Sequence, residues 1–216
     1  IIDTHDYKWS NNIEPVLGSS TFSNRKFTEN PQSGFYPLKF FFCKDWQSAL
    51  PLVALQYHDV ELRITWSSSL NLSNESVVCW ARFIYLDKDE REYFAKKSHD
   101  ILITQVSRSA MSPVSTYEFA LSQPVKYIAF ESNNYTTQYT SAPSKAAPLQ
   151  FKMQINGNDI GESRSLYAWS DVNQYYLTPF GYKPMVGSTG TSNVAFVPFC
   201  LDTSKLQPTG TLNFSR

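Results

Sequence analysis

Residues 49–64 read ALPLVALQYHDVELRI, and the order of side chains in this stretch decides the fold class. After the opening Tyr57 and His58, the apolar Val60, Leu62 and Ile64 alternate with the charged Asp59, Glu61 and Arg63. Successive side chains of an extended chain point to opposite sides, so this order gives one apolar and one charged face. A helical period would scatter the charges around a cylinder. Pro51 has no backbone N–H to give to a ladder and marks the entrance. The spacing predicts a half-buried strand over Tyr57–Trp66.

Other segments of the same character surround it. Phe35–Cys43 (FYPLKFFFC), Val77–Leu86 (VVCWARFIYL), Asp100–Val106 (DILITQV), Val125–Phe130 (VKYIAF), Leu149–Ile155 (LQFKMQI) and Val194–Leu201 (VAFVPFCL) are rich in β-branched and aromatic residues. Polar, turn-prone tracts divide them at 67–76, 136–148 and 183–193. Asn156-Gly157-Asn158 is a turn signal of the kind that supplies positive φ between strands. Only short helices fit. Asp87 with Glu90 three residues on gives a capping-box start before REYFAKK, and Lys96 and Lys97 suit its negative end. Asp45 would cap one turn through Trp46 to Leu50, and Arg164–Tyr175 is a further helical candidate. Many short strands between polar loops point to an all-β sandwich or jelly roll.

Composition narrows the function classes. A chain of 216 residues accommodates one large all-β domain or two smaller ones, and 42% hydrophobic residues are too many for a disordered chain. Nineteen basic residues balance nineteen acidic ones, so the basic stripe of a nucleic-acid binder is missing. No apolar run reaches the ~20 residues needed to span a bilayer as a helix. Cys43, Cys79 and Cys200 are odd in number and widely spaced, which reads as buried free thiols rather than a disulfide framework or zinc site. The N-terminus IIDTHDYKWS has neither an initiator Met nor the pattern of a secretory signal, and reads as a processed product or a fragment.

Motifs for chemistry are scarce. His5, His58 and His99 form no His-x-His pair of the kind a cupin-like metalloenzyme places on neighbouring strands. The carboxylates Asp87, Asp89 and Glu90 read as a solvated helix start rather than an acid–base pair. There is no Gly-x-Ser-x-Gly elbow and no phosphate loop. No catalytic, cofactor-binding or metal-binding residue is assigned, and no cofactor is expected. Tyr135, Tyr139, Tyr167, Trp169, Tyr175 and Tyr176 would suit either a sugar-stacking platform or packing in cores and interfaces, and packing is the preferred reading. Asn71, Asn74, Asn134 and Asn213 stand in Asn-x-Ser/Thr sequons, candidate glycan acceptors in a chain that meets the glycosylation machinery.

Three strings then resemble the major capsid protein of nucleocytoplasmic large DNA viruses, the group of iridoviruses, phycodnaviruses and mimivirus relatives. They are FFFCKDWQSALPLVALQYHDVELRI (Phe40–Ile64), FIYLDKDEREYFAKKSHDILITQV (Phe83–Val106) and LQPTGTLNFSR (Leu206–Arg216), and their order and spacing match as well. The resemblance implies a double jelly roll, two antiparallel sandwiches in one polypeptide, three copies of which form a pseudo-hexagonal capsomer of an icosahedral shell. On that mapping residues 1–86 are the C-terminal part of the first jelly roll, 87–98 a helical connector, and 99–216 the N-terminal part of the second. The family's proteins are roughly twice as long, so the mapping implies a partial sequence. Missing strands would leave open edges, and the chain on its own is expected to be poorly soluble or misassembled.

The implied role is structural. The partners are the chain itself as a homotrimer, neighbouring capsomers and minor capsid proteins, with no direct contact to nucleic acid and no transmembrane segment. The place is the virion capsid, assembled in the host cytoplasm. A glycan-binding jelly-roll module and, behind it, a cupin-like metalloenzyme are the alternatives.

Overall fold

Strands β1 (Pro124–Val125), β2 (Tyr127–Glu131), β3 (Gln150–Ile155), β4 (Asn158–Ser165), β5 (Val194–Pro198) and β6 (Leu212–Asn213), with helices α1 (Lys88–Lys96) and α2 (Asn173–Leu177), make up most of the regular structure in a computed structural model of the chain. The residues described are 2–6, 9, 13, 38–43, 46–66, 68, 77–109, 116–131, 150–165, 168–179 and 194–214. They fall into two compact units, one of Ile1–Leu38 with Leu102–Arg216, the other of Lys39–Ile101.

In the first unit all the ladders are antiparallel, pairing β1 with β6, β2 with β5 and β3 with β4. The β3–β4 hairpin turns at Asn156 and Gly157, both at positive φ (51° and 79°), the left-handed pair that a two-residue turn requires. Side chains of β3 alternate outward and inward, which turns Phe151 and Met153 toward β5. Register explains the layers. Phe130 lies opposite Ala195 and Ile128 opposite Val197 on one face of the β2–β5 pair, while Ala129 lies opposite Phe196 on the other.

Both faces of β5 are therefore covered. On one, Ala195 and Val197 pack with Trp169, Phe130, Phe151, Met153 and Phe199. On the other, Phe196 packs with Tyr127, Ala129, Leu177 and Ile13. The rings interlock, Phe130 edge-on to Phe151 (4.7 Å) and Phe151 stacked on Trp169 (4.7 Å). The helical candidate of the sequence splits. Arg164 stays in β4, Ala168–Val172 winds as a π-helical turn that seats Trp169, and α2 follows. Asn173 Nδ2 donates to the Phe196 carbonyl (2.7 Å), satisfying a β5 backbone acceptor with a side chain.

The second unit departs from the sequence reading. Phe41–Cys43 is a 3-10 turn rather than the end of a strand. Residues 51–58 form successive turns, with the Pro51 carbonyl accepting from Ala54 and the Leu55 carbonyl from His58 (2.9 and 3.0 Å), so Pro51 opens turns instead of a strand. Residues 59–66 and 77–87, and 102–109 of the first unit, join no ladder among the described residues. Alternation specifies which side chains shun water, but a strand also needs a second backbone to pair with.

Helix α1 follows the sequence closely. Asp87 Oδ1 accepts from the Glu90 amide (2.8 Å) while Glu90 Oε2 accepts from the Asp87 amide (3.2 Å), a reciprocal capping box. At the other end His99 Nε2 donates to the Phe94 carbonyl (2.9 Å) and its ring stacks on Phe94 at 5.0 Å. No residue of α1 is buried, so its ends carry much of its stability. Asp87→Ala is expected to cost about 1 kcal/mol of helix stability, seen as lost 222 nm ellipticity, with Asp87→Ser close to the parent.

Candidate functional site

The string QPTGTLNF, residues 207–214, acts through contacts distant in sequence. Thr209 Oγ1 accepts from the amides of Leu201 and Asp202 (both 3.1 Å), closing the loop that leaves β5. Gly210, at φ 155°, runs against the Phe199 backbone, where a Cβ would overlap the Phe199 carbonyl oxygen and lie 3.3 Å from the Cys200 Cα. Leu212 and Asn213 then pair with Val125 and Pro124, and Phe214 meets the Phe199 ring edge-on at 5.9 Å. Lys126 locks the same loop, its Nζ donating to the carbonyls of Thr203 (3.1 Å) and Lys205 (2.6 Å). The loop is tied on to α2 as well, since the Thr203 amide donates to the Leu177 carbonyl (3.1 Å). This seam closes the end of the β2–β5 layer where β2 begins and β5 finishes.

A second anchored segment is the N-terminus. Asp3, its side chain almost fully buried, accepts from Thr4 N (2.9 Å), Val106 N (3.1 Å) and His5 Nε2 (2.8 Å). Arg108 pairs with Asp6, Gln105 donates to the Ile2 carbonyl, and His5 stacks on Trp9 at 4.3 Å. Burial alone would raise the Asp3 carboxyl, but the hydrogen bonds from His5, Val106 and Thr4 outweigh it and hold it below the ordinary carboxylate value. A pKa lower in the folded state adds stability that is complete above the unfolded value and is lost as pH falls through the folded one. Asp3→Asn is therefore expected to flatten the fall in urea midpoint between about pH 5 and pH 2.5. An equally steep fall in the variant would count against this.

The second unit presents the surface. Tyr57 (94% exposed), Tyr85 (93%) and Trp80 (86%) stand in water, together with Val60, Leu62, Ile64, Val77, Val78, Phe83 and Ile84. So much exposed aromatic and aliphatic surface is what an assembling subunit offers.

The residues singled out from sequence divide. Cys200 is buried, and burial pushes its thiol up, but Cys43 and Cys79 are exposed, against the expectation of three buried thiols. Neither residue joins a ladder among the described residues. Trp169 is core rather than platform, while Tyr175 and Tyr176 are exposed and edge-on to each other at 82°, so the two rings offer no common flat face. Tyr135, Tyr139 and Tyr167 lie outside the described residues, as do the sequon residues Asn71, Asn74 and Asn134; Asn213 sits exposed in β6. His58 is exposed and His99 caps α1. Among the described residues no three His, Cys, Asp or Glu side chains converge as metal ligands, and no helix is long and apolar enough to cross a membrane. The structural roles of Thr209, Gly210 and Lys126 carry no signal of their own in the sequence, although the glycine of QPTG stands inside the third capsid-like string.

Comparison with known proteins points in one direction. Residues 10–89 match the family model described as major capsid protein N-terminus. The major capsid protein of Pyramimonas orientalis virus is 29% identical, covering 84% of this chain and 51% of the relative. That of Paramecium bursaria Chlorella virus 1 is 27% identical, covering 100% of this chain and 62% of the relative. The crystal structure of PBCV-1 VP54, fitted into a reconstruction of the virophage Sputnik, superposes with TM-score 0.71 at 26% identity, over 100% of this chain and 65% of VP54. Over its whole length the chain resembles the major capsid proteins of large DNA viruses, and residues 10–89 match the N-terminal model of that family.

Its fold is accordingly the all-β jelly-roll capsid fold, as the sequence resemblance implied. The chain spans between about half and two thirds of the length of these relatives. Two of the three capsid-like strings now have a local physical account. The second encodes a helix capped at both ends, and the third encodes the seam that holds the β5 loop.

Proposed function

We propose that the chain is a structural subunit of an icosahedral viral shell, working by assembly rather than catalysis. Three copies form a pseudo-hexagonal capsomer, and capsomers meet one another and minor capsid proteins in the shell. The observation that carries this reading is the overlap of the whole chain with the VP54 fold, within the capsid family. The exposed aromatic surface supports it, because burial of apolar area at about 25 cal/mol per Å² drives association, with Tyr and Trp as its usual anchors. Zero net charge lets identical subunits pack with little mutual repulsion.

In the same reading residues 1–86 close a first jelly roll, 87–98 connect, and 99–216 open a second. Helix α1, capped independently of its neighbours, suits a connector. Assembly takes place in the host cytoplasm, and shell contacts involve protein surfaces rather than nucleic acid. Glycans, where a transferase meets the chain, belong at Asn71, Asn74 and Asn134, and intact-mass measurement before and after glycosidase reads them.

The test is quantitative mass spectrometry of purified virions, with the native mass of the released protein. Peptides of this chain are expected among the most abundant in the particle, and the released species is expected to have the mass of three protein copies. Absence from the particle overturns the reading.

A further inference from the structure

The tip of the β3–β4 hairpin carries a reactive pair, and we propose that Asn156-Gly157 is a site of self-modification, converting through a cyclic imide to aspartyl-glycine and isoaspartyl-glycine links. The inference is independent of the capsid reading. Four observations carry it. No other Asn-Gly pair occurs in the sequence, and glycine has no Cβ to obstruct attack by its own backbone nitrogen. Both residues are exposed, and nothing lies within 4 Å of the place a Gly157 Cβ would take, which leaves room for the peptide plane between them to swing. The β3–β4 ladder ends at the Ile155–Asn158 pair, so the Gly157 amide lies outside it. Finally, Lys152 Nζ donates to Asp159 Oδ2 (2.7 Å) and Gln154 Nε2 to Asp159 Oδ1 (2.5 Å), while the Asn156 carboxamide has no hydrogen-bond partner among the described residues to hold it back.

The step needs only water. Water or hydroxide removes the proton of the Gly157 amide, and its nitrogen bonds to Asn156 Cγ. The Cγ–Nδ2 bond breaks, and Nδ2 leaves as ammonia with a proton taken from water. A five-membered imide remains, and water opens it at one of two bonds. Breaking the new bond to Cγ gives an aspartyl side chain on the original backbone. Breaking the original bond gives isoaspartate, whose main chain runs through the side-chain methylene. One water enters in all and one ammonia leaves, with no oxidant or reductant. Both products carry a carboxylate where the carboxamide stood. Isoaspartate also lengthens the backbone by one carbon inside a two-residue turn, and turn length sets hairpin register. Phe151 and Met153, which β3 turns toward β5, then lose their support.

Peptide mapping of the purified full-length protein, held folded at mildly alkaline pH and body temperature, tests this. Trypsin cleaving after Lys152 and Arg164 releases residues 153–164, and a synthetic peptide of that sequence is aged alongside. In the folded protein this segment is expected to gain about one dalton, with fragment ions placing the change at Asn156. The rate is expected to lie within about ten-fold of that of the free peptide. Gly157→Ala is expected to convert about ten-fold more slowly than the parent. Asn156→Gln, whose imide would need a six-membered ring, is expected not to convert at that position. Conversion only in the free peptide, conversion at Asn158 instead, or an undiminished rate in either variant overturns the proposal.

The consequence for the hairpin has its own readout. Anion exchange separates the converted fraction by its added negative charge, and amide hydrogen exchange is followed on both fractions. Amides of β3 and β4 are expected to exchange about ten-fold faster in the converted fraction, and those of β2 and β5 to change by less. Unchanged exchange in β3 and β4 overturns the loss of register.

Discussion

Gly210→Ala is expected to lower the stability of the first unit by about 3 kcal/mol, the largest effect of an added methyl among the described glycines. The added Cβ would overlap the Phe199 carbonyl oxygen and press on the Cys200 Cα. Both are backbone, so no rotamer change relieves the clash, and the loop held by Thr209 and Lys126 has to move. Gly157 and Gly161 provide the contrast. Each has positive φ (79° and 81°) but nothing within 4 Å of a built Cβ. Alanine there is expected to cost only the left-handed backbone penalty of about 1 kcal/mol. Urea unfolding followed by the emission of Trp169, the buried indole among the described tryptophans, reads the difference. Equal losses at Gly210 and Gly157 would show that the seam yields freely.

Phe196→Ala is expected to cost about 4 kcal/mol. Phe196 is 0% exposed and fills the face of β5 opposite the Trp169 cluster, between Tyr127, Ala129, Leu177 and Ile13. Truncation removes the apolar transfer energy and leaves a ring-sized cavity that neighbours on two elements cannot close together. Phe196→Leu keeps most of the volume and is expected to cost under about 1.5 kcal/mol. The ratio matters more than either value. Comparable losses for Leu and Ala would mean that the face depends on the edge-on ring contact with Tyr127 rather than on filled volume.

The parts of the fold legible in the sequence are those whose causes are local. The Asn156-Gly157 turn and the Asp87–Glu90 capping box each complete their chemistry within four residues, and both form as read. Strands β2, β3 and β5 were legible as strands, from β-branched and aromatic content, but not as partners. Nothing near Phe130 indicates that Ala195 faces it. The 57–66 run shows the converse, since its alternation states a preference for a buried face without naming what buries it. At the seam, Thr209 reads as an ordinary turn residue because its two donors sit on a loop seven and eight residues upstream. The need for glycine at 210 comes from the Phe199 carbonyl, which no local pattern encodes.

The ladder pairing also sets an order in time. β3 and β4 are neighbours across a two-residue turn and close as soon as both have left the ribosome. β2 has no such neighbour. Its partner β5, and the β6 strand that pairs with β1, come from the far end of the chain. During synthesis Tyr127, Ala129 and Phe130 therefore wait uncovered while the intervening residues are made, and loop-closure entropy slows the pairing further. Where many copies are made at once, that interval is when nascent chains are most exposed to one another. The pace of translation between β2 and β5, and the chaperones present meanwhile, then govern how many chains reach the native ladder.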